Sequence, residues 1–148
     1  MIQPERIQVL HDIPQRKGRY VLYWMQQAQR AHWNHALEYA IRKANEADLP
    51  VLVGFGLDET FPEANLRHFT FMLEGLKETA ADLRSRGIGF VLRRGNPGRV
   101  VLDLAQDAAL MVCDRAYLPH QRDWPKTVAE NASCRVVRVE SDVVVPVE

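Results

Sequence analysis

The sequence predicts an α/β domain: a five-stranded parallel sheet with helices packed on both faces. Three observations predict it. Five apolar runs alternate with four helical patterns along the chain, the order of a sheet built from strand–helix–strand units. The runs "YVLYW", "VLVGF" and "LMVC" are nearly continuous apolar stretches, as strands buried on both faces require. The length of 148 residues suits one domain, which buries roughly 68–70% of the surface its unfolded chain exposes.

Each element follows from local pattern. Residues 1–19 read as an N-terminal arm, with the basic stretch "RKGR" (Arg16–Arg19) mobile, and the domain proper as residues 20–148. "YVLYW" (Tyr20–Trp24) is the first strand. "HWNHALEYAIRKANEA" is a helix: Trp33, Leu37, Ala40, Ile41 and Ala44 recur at helical spacing, with Arg42, Lys43 and Glu46 outward. The second strand is about Val51–Phe55. Pro62 and Glu63 suit a helix start, and the helix runs to about Arg86 with Leu66, Phe69, Leu73, Leu76, Ala80 and Leu83 as its apolar stripe. Gly87 sits where a helix end favours glycine.

The third strand is about Gly89–Arg93. Asn96 caps a short helix with Pro97 at its first position. Leu110–Cys113 is the fourth strand, and a helix interrupted near Pro125 follows. "CRVVRVES" is the fifth strand and "VVVPVE" an extended tail. Right-handed crossovers make this a Rossmann-like three-layer α/β/α domain with expected strand order 3-2-1-4-5. The order then reverses between strands one and four, so ligands belong beyond their carboxyl ends, at Tyr23–Arg30 and Cys113–Leu118.

Composition narrows the chemistry. Lys+Arg and Asp+Glu balance at 19 each, so the domain lacks the basic footprint needed to grip nucleic acid by itself. Cys113 and Cys134 are too few for a disulfide scaffold and fit no zinc ribbon. The N-terminus has no apolar signal region, and no run reaches the ~20 apolar residues of a membrane span. The expectation is a cytoplasmic protein without a membrane partner.

The turn after the first strand, "YWMQQAQR", has no glycine, so it offers no dinucleotide fingerprint. "GFG" (Gly54–Gly56) lacks the third glycine. "RRGNPGR" opens a helix and could meet a phosphate, although N-P and P-G are ordinary loop punctuation. His32 and His35 lie three apart without further ligands of metal spacing. No serine elbow appears. Asp58, Glu59, Asp114 and Arg115 end strands where ligand residues often lie, but they make no acid/base pair. No catalytic group and no metal site is therefore expected. What survives is an uncharged aromatic lip, Trp24–Gln27, suited to stacking on a flat heteroaromatic ring and bonding its edge. A buried Trp24 with exposed glutamines at a helix start is the competing reading.

"YVLYWMQQAQR", "NHALEYAIRKAN", "LPVLVGFGL" and "FPEANLRHFTFMLEGL", then "GIGFVLRRGNP", "DRAYLPHQRDWP" and "VVVPVE", closely resemble the N-terminal part of class II cyclobutane pyrimidine dimer photolyases, of the photolyase/cryptochrome superfamily. The resemblance runs from Gly18 to the end. It implies light-driven repair of pyrimidine dimers in DNA by electron transfer from reduced FAD, with FAD and lesion held in a C-terminal helical domain. It implies that the α/β domain holds an antenna chromophore, a deazaflavin or a folate. Carried onto this chain, the chromophore residues are Trp24, Met25, Gln26, Gln27 and Arg30, then Phe55, Gly56 and Leu57, then Asp114 and Arg115. The sequence ends at Glu148, where the helical FAD domain would begin. The expectation is that this stretch alone does not repair DNA, docks on that domain, and exposes an apolar face through which it self-associates. A non-catalytic cryptochrome-like binding or signalling module is the alternative. A universal-stress-type nucleotide domain would need a Gly-rich loop where "CDRAYLPHQRDW" stands.

Overall fold

The structure, a computed structural model, describes residues 1–60 and 64–146. A short 3-10 turn (Pro4–Arg6) leads into β1 (Ile7–His11). There follow β2 (Tyr20–Trp24), α1 (His35–Ala47), β3 (Val51–Leu57), α2 (Leu66–Ser85) and β4 (Gly89–Arg94). The chain continues with α3 (Pro97–Ala105), β5 (Ala108–Asp114), α4 (Pro119–Arg122), α5 (Trp124–Asn131) and β6 (Arg135–Val139). The sheet order is β1-β6-β5-β2-β3-β4. Its five parallel strands follow the expected 3-2-1-4-5 order, and the chain reverses direction across the sheet between β2 and β5.

One strand is additional. Residues 7–11, expected in an arm outside the sheet, pair antiparallel with β6, Ile7 opposite Val139 and Val9 opposite Val137. The "RKGR" stretch is tied down rather than free. Arg16 donates to the carbonyls of Ala108 (3.0 Å), Ala105 (2.9 Å) and Gln106. A Cβ on Gly18 would lie 2.3 Å from the backbone N of Ala109, so only glycine lets the chain enter the sheet so closely.

Two apolar cores flank the sheet. Val21, Tyr23, Val53 and Val112 pack with Leu37 and Ala40 of α1 and with Leu76 and Leu83 of α2. Leu22, Trp24, Met111 and Cys113 pack on the other face with Val101 and Leu104 of α3 and Val128 of α5. Alternate residues of β2 thus serve opposite cores, as strand geometry dictates. Asn96 caps α3, accepting from the Arg99 N–H at 3.1 Å, and Gly87 follows α2 at φ 73°, both as expected. A break before Pro125 divides α4 from α5.

Two helix starts differ from expectation. α1 begins at His35, capped by Asn34, so Trp33 lies outside the helix, 89% exposed at φ 53°. The start expected at Pro62 and Glu63 lies outside the described residues. α2 is described from Leu66, with a reciprocal Asn65–His68 cap. Its expected stripe is buried only in the second half: Leu76 and Leu83 are buried, whereas Leu66 and Leu73 are exposed, as is Phe71 on another side of the helix. The 20 residues of α2 extend about 30 Å at 1.5 Å each. The seven of β3 extend about 23 Å. The helix therefore overhangs the carboxyl edge of the sheet.

Candidate functional site

β2 ends at Trp24, and residues 25–34 carry the chain to α1 without a glycine. Asp114, the last residue of β5, is 1% exposed beneath this turn. Its Oδ2 accepts from the backbone N–H groups of Gln26 (2.9 Å), Gln27 (2.9 Å) and Ala28 (3.2 Å). Its Oδ1 accepts from the Tyr23 hydroxyl at 2.7 Å. Asn34 Nδ2 donates to Tyr23 Oη (3.0 Å) and to the carbonyls of Ala28 (3.0 Å) and Arg30 (3.1 Å). Asn34 Oδ1 caps α1 by accepting from the Leu37 N–H at 3.0 Å. Tyr23 Oη thus receives a bond from Asn34 and sends its own hydrogen to Asp114. The turn is held from below by a carboxylate, a phenol and an amide.

Burial raises the Asp114 pKa from its ordinary value, opposed by the donors of Gln26, Tyr23, Ala28 and Gln27. Burial, with the neighbouring Asp114 charge second, drives the Tyr23 hydroxyl well above its usual range. Tyr23 is therefore a fixed donor at any ordinary pH.

On the β3 side of the turn lies a cleft of about 230 Å³. Trp24, Met25, Gln26, Gln27, Phe55, Gly56 and Leu57, all expected there from sequence, line it. The overhanging α2 contributes Phe69 and Met72, α3 contributes Pro97, and the α4–α5 region contributes Gln121 and Trp124. Gln27 Nε2 donates to Gln121 Oε1 at 2.6 Å, bridging one wall to the other. Two of the lining residues also carry a buried polar atom without a hydrogen-bond partner, Trp24 Nε1 and Gln26 Oε1, an arrangement that normally calls for an explanation. Aromatic side chains interleaved with glutamine amides fit the face and edge of a flat, polar-rimmed ring.

Three expected residues are not on the cleft lining. Asp114 lies under the turn. Arg30 ties the turn to the C-terminal tail, donating to the carbonyls of Trp33 (3.1 Å) and Ser141 (3.0 Å) with Asp142 at 3.7 Å. The Arg115 guanidinium sits 5.8 Å from the Tyr117 ring. Sequence reasoning in turn missed Phe69 and Met72 as roof residues. Phe69 stood in the expected apolar stripe and Met72 did not, and only the length mismatch between α2 and β3 carries that part of the helix past the sheet. Among the described residues, no group of three or more His, Cys, Asp or Glu is placed to hold a metal. Nor is any described helix long and apolar enough to cross a membrane.

Fold and cleft together define a Rossmann-like α/β domain with its concave site beyond the carboxyl ends of β2 and β3. A sequence model of DNA photolyase matches residues 21–148, and the chain belongs to that family. It is 48% identical over 149 residues to a deoxyribodipyrimidine photo-lyase of Methanothermobacter thermautotrophicus, covering all of this chain and 34% of that protein. It is 35% identical to the enzyme of the same name from Potorous tridactylus, over 89% of this chain and 26% of that one. The chain thus spans about a quarter to a third of the length of such relatives. Among solved structures, a class III photolyase from Agrobacterium tumefaciens superposes with TM-score 0.66 at 21% identity, over 83% of this chain and 26% of that one. A universal stress protein in complex with cAMP superposes with TM-score 0.60 at 13% identity, over 86% of this chain and all of that one. Likeness at these identities shows the shared fold.

Proposed function

We propose that this chain is the light-harvesting domain of a class II photolyase that repairs cyclobutane pyrimidine dimers, and that its cleft holds an antenna chromophore, a deazaflavin or a folate. The observation that carries the reading is the cleft itself: about 230 Å³ beyond the ends of β2 and β3, lined by Phe55, Phe69 and Trp124 with the Gln26 and Gln27 side chains among them. When bound, such a chromophore supplies absorption of near-UV or blue light and passes the excitation to FAD elsewhere in the parent protein.

The residues of this chain then have positional tasks. Trp24, Phe55, Phe69 and Trp124 exclude water and sandwich a ring. The glutamine amides of the lip fix its rotation by edge bonds, and the Asp114–Tyr23–Asn34 network keeps the lip rigid. Energy transfer needs a fixed distance and angle, not an acid or a nucleophile. In this reading the whole photolyase, a cytoplasmic protein, repairs DNA through reduced FAD held in its helical domain. The exposed apolar side chains of α2, Leu66 and Leu73 on one side and Phe71 on another, dock on that domain, or self-associate without it.

The test is a near-UV/visible spectrum of the protein titrated with a deazaflavin and, separately, with a folate. A saturable red-shifted band that Phe55→Ala abolishes is the expected result. No saturable change with either compound refutes the antenna reading.

A further inference from the structure

We propose that Asp114 is a specificity-determining residue: its carboxylate fills, from within the chain, the anion position that nucleotide-binding domains of this layout leave open on the first strand–helix turn. In such domains that turn opens with glycines, and its N–H groups receive the ligand's phosphate at the point where strand order reverses. Successive N–H groups converging on one point make an anion-binding concavity. Here the N–H groups of Gln26, Gln27 and Ala28 converge in that way, at 2.9, 2.9 and 3.2 Å, on Asp114 Oδ2. The residue comes from the end of β5, the neighbour of β2 across the reversal.

Occupancy and charge then act together. A phosphate at this turn would have to displace a carboxylate that is 1% exposed and anchored by a fourth donor, Tyr23. It would also meet a charge of its own sign. The remaining space lies on the β2–β3 side, where aromatic, aliphatic and amide side chains dominate the lining and Asp58 and His68 are its titratable residues. The cleft therefore selects a ring ligand that carries no phosphate toward the turn. That last step rests on the cleft being a ligand site; the filled anion position does not.

The experiment uses Asp114→Ala and the unmodified protein, with thermal unfolding followed in sodium chloride, sodium formate and inorganic phosphate at matched ionic strength. Formate replaces the removed group atom for atom, and phosphate is the excluded ligand. The expected result is a variant with a lowered Tm that recovers by several degrees in formate or phosphate, while the unmodified protein does not respond. A variant indifferent to both anions, or an unmodified protein stabilised as much as the variant, overturns the proposal.

Should Asp114→Ala fail to fold, amide spectra of the unmodified protein decide. The Gln26, Gln27 and Ala28 amides should exchange slowly with solvent and stay unmoved on adding ADP. Fast exchange, or an ADP-dependent shift of these three, overturns it. Neither readout involves a chromophore, so failure of the antenna reading and failure of this one are separately visible.

Discussion

Asn34 is where the stability of the turn is most sharply testable, because its amide does two jobs that a substitution can separate. Its oxygen caps α1. Its nitrogen has two hydrogens and three acceptors within reach, the Tyr23 hydroxyl and the Ala28 and Arg30 carbonyls, and the residue is 1% exposed. A lost cap costs about 1 kcal/mol. Two lost neutral bonds at about 0.5–1.5 kcal/mol each, with acceptors left buried, add about 2 kcal/mol. Asn34→Ala should therefore cost about 3 kcal/mol, equivalent to a fall of about 6–12 °C in Tm at this chain length.

Asn34→Asp is the discriminating change. Asp caps helices as well as Asn does, so if Asn34 were only a cap the variant would match the parent. In this network the new carboxylate faces two carbonyl oxygens and a phenol whose hydrogen already serves Asp114. It should be at least as destabilising as Ala at neutral pH. The new carboxyl has its folded pKa raised above the unfolded value. Its deficit is therefore least below the ordinary carboxylate range and grows as pH rises through the raised value. Urea unfolding followed by tryptophan fluorescence, at neutral and mildly acid pH, measures both. If Asn34→Asp lies within about 0.5 kcal/mol of the parent at neutral pH, the donor half of the argument fails.

Three further outcomes follow from other sites. Gly56→Ala places a Cβ 2.6 Å from Pro97 Cα, so β3 and α3 must part; a loss of about 1–3 kcal/mol, with weakened ring binding in the titration above, is expected, and parent-like stability with unchanged binding would contradict the close approach. Tyr117 donates to Glu140, and burial, with that bond second, pushes its pKa up to about 12. The bond's contribution is then full below the unfolded value and lost as pH rises through about 12. Ultraviolet titration should show late-ionising tyrosines, Tyr23 and Tyr117 among them, and Tyr117→Phe should remove one from that set. Cys113 is fully buried and its thiol is pushed up to about 12, while Cys134 is buried in the same core. Both should resist an aromatic disulfide reagent until denaturant is added; fast labelling of the folded protein would contradict the packing.

The sequence was most legible where burial is two-sided. β2, β3 and β5 are flanked by strands and covered by helices, so their apolar runs are continuous and their limits lie within a few residues of expectation. β1 was invisible for the opposite reason. It is an edge strand with Gln8 and Val9 exposed, held largely by backbone pairing to β6, and backbone pairing leaves no side-chain signature. Trp33 misled because an apolar residue at helical spacing normally faces the core; its positive φ and the cap at Asn34 are properties of the turn, not of the periodicity. Most of the cleft lining was legible because sheet topology fixes which strand ends meet. The roof was not, because it depends on how far α2 outruns β3.

The glutamines of the turn show how a site can be composed of the right residues for a reason the sequence does not display. Gln29 Nε2 bonds the Gln26 carbonyl at 3.1 Å, Gln27 reaches Gln121, and Gln26 keeps a free acceptor. All three stand on a turn whose N–H groups already serve a buried carboxylate. An acidic side chain there would add repulsion within a Debye length of Asp114. A basic one would compete for the same carboxylate and loosen its hold on the turn. Amides do neither, since they bond without carrying charge, and they reach further than a hydroxyl. The absence of glycine has the same origin: no phosphate needs to approach this backbone, because Asp114 already occupies the place it would take.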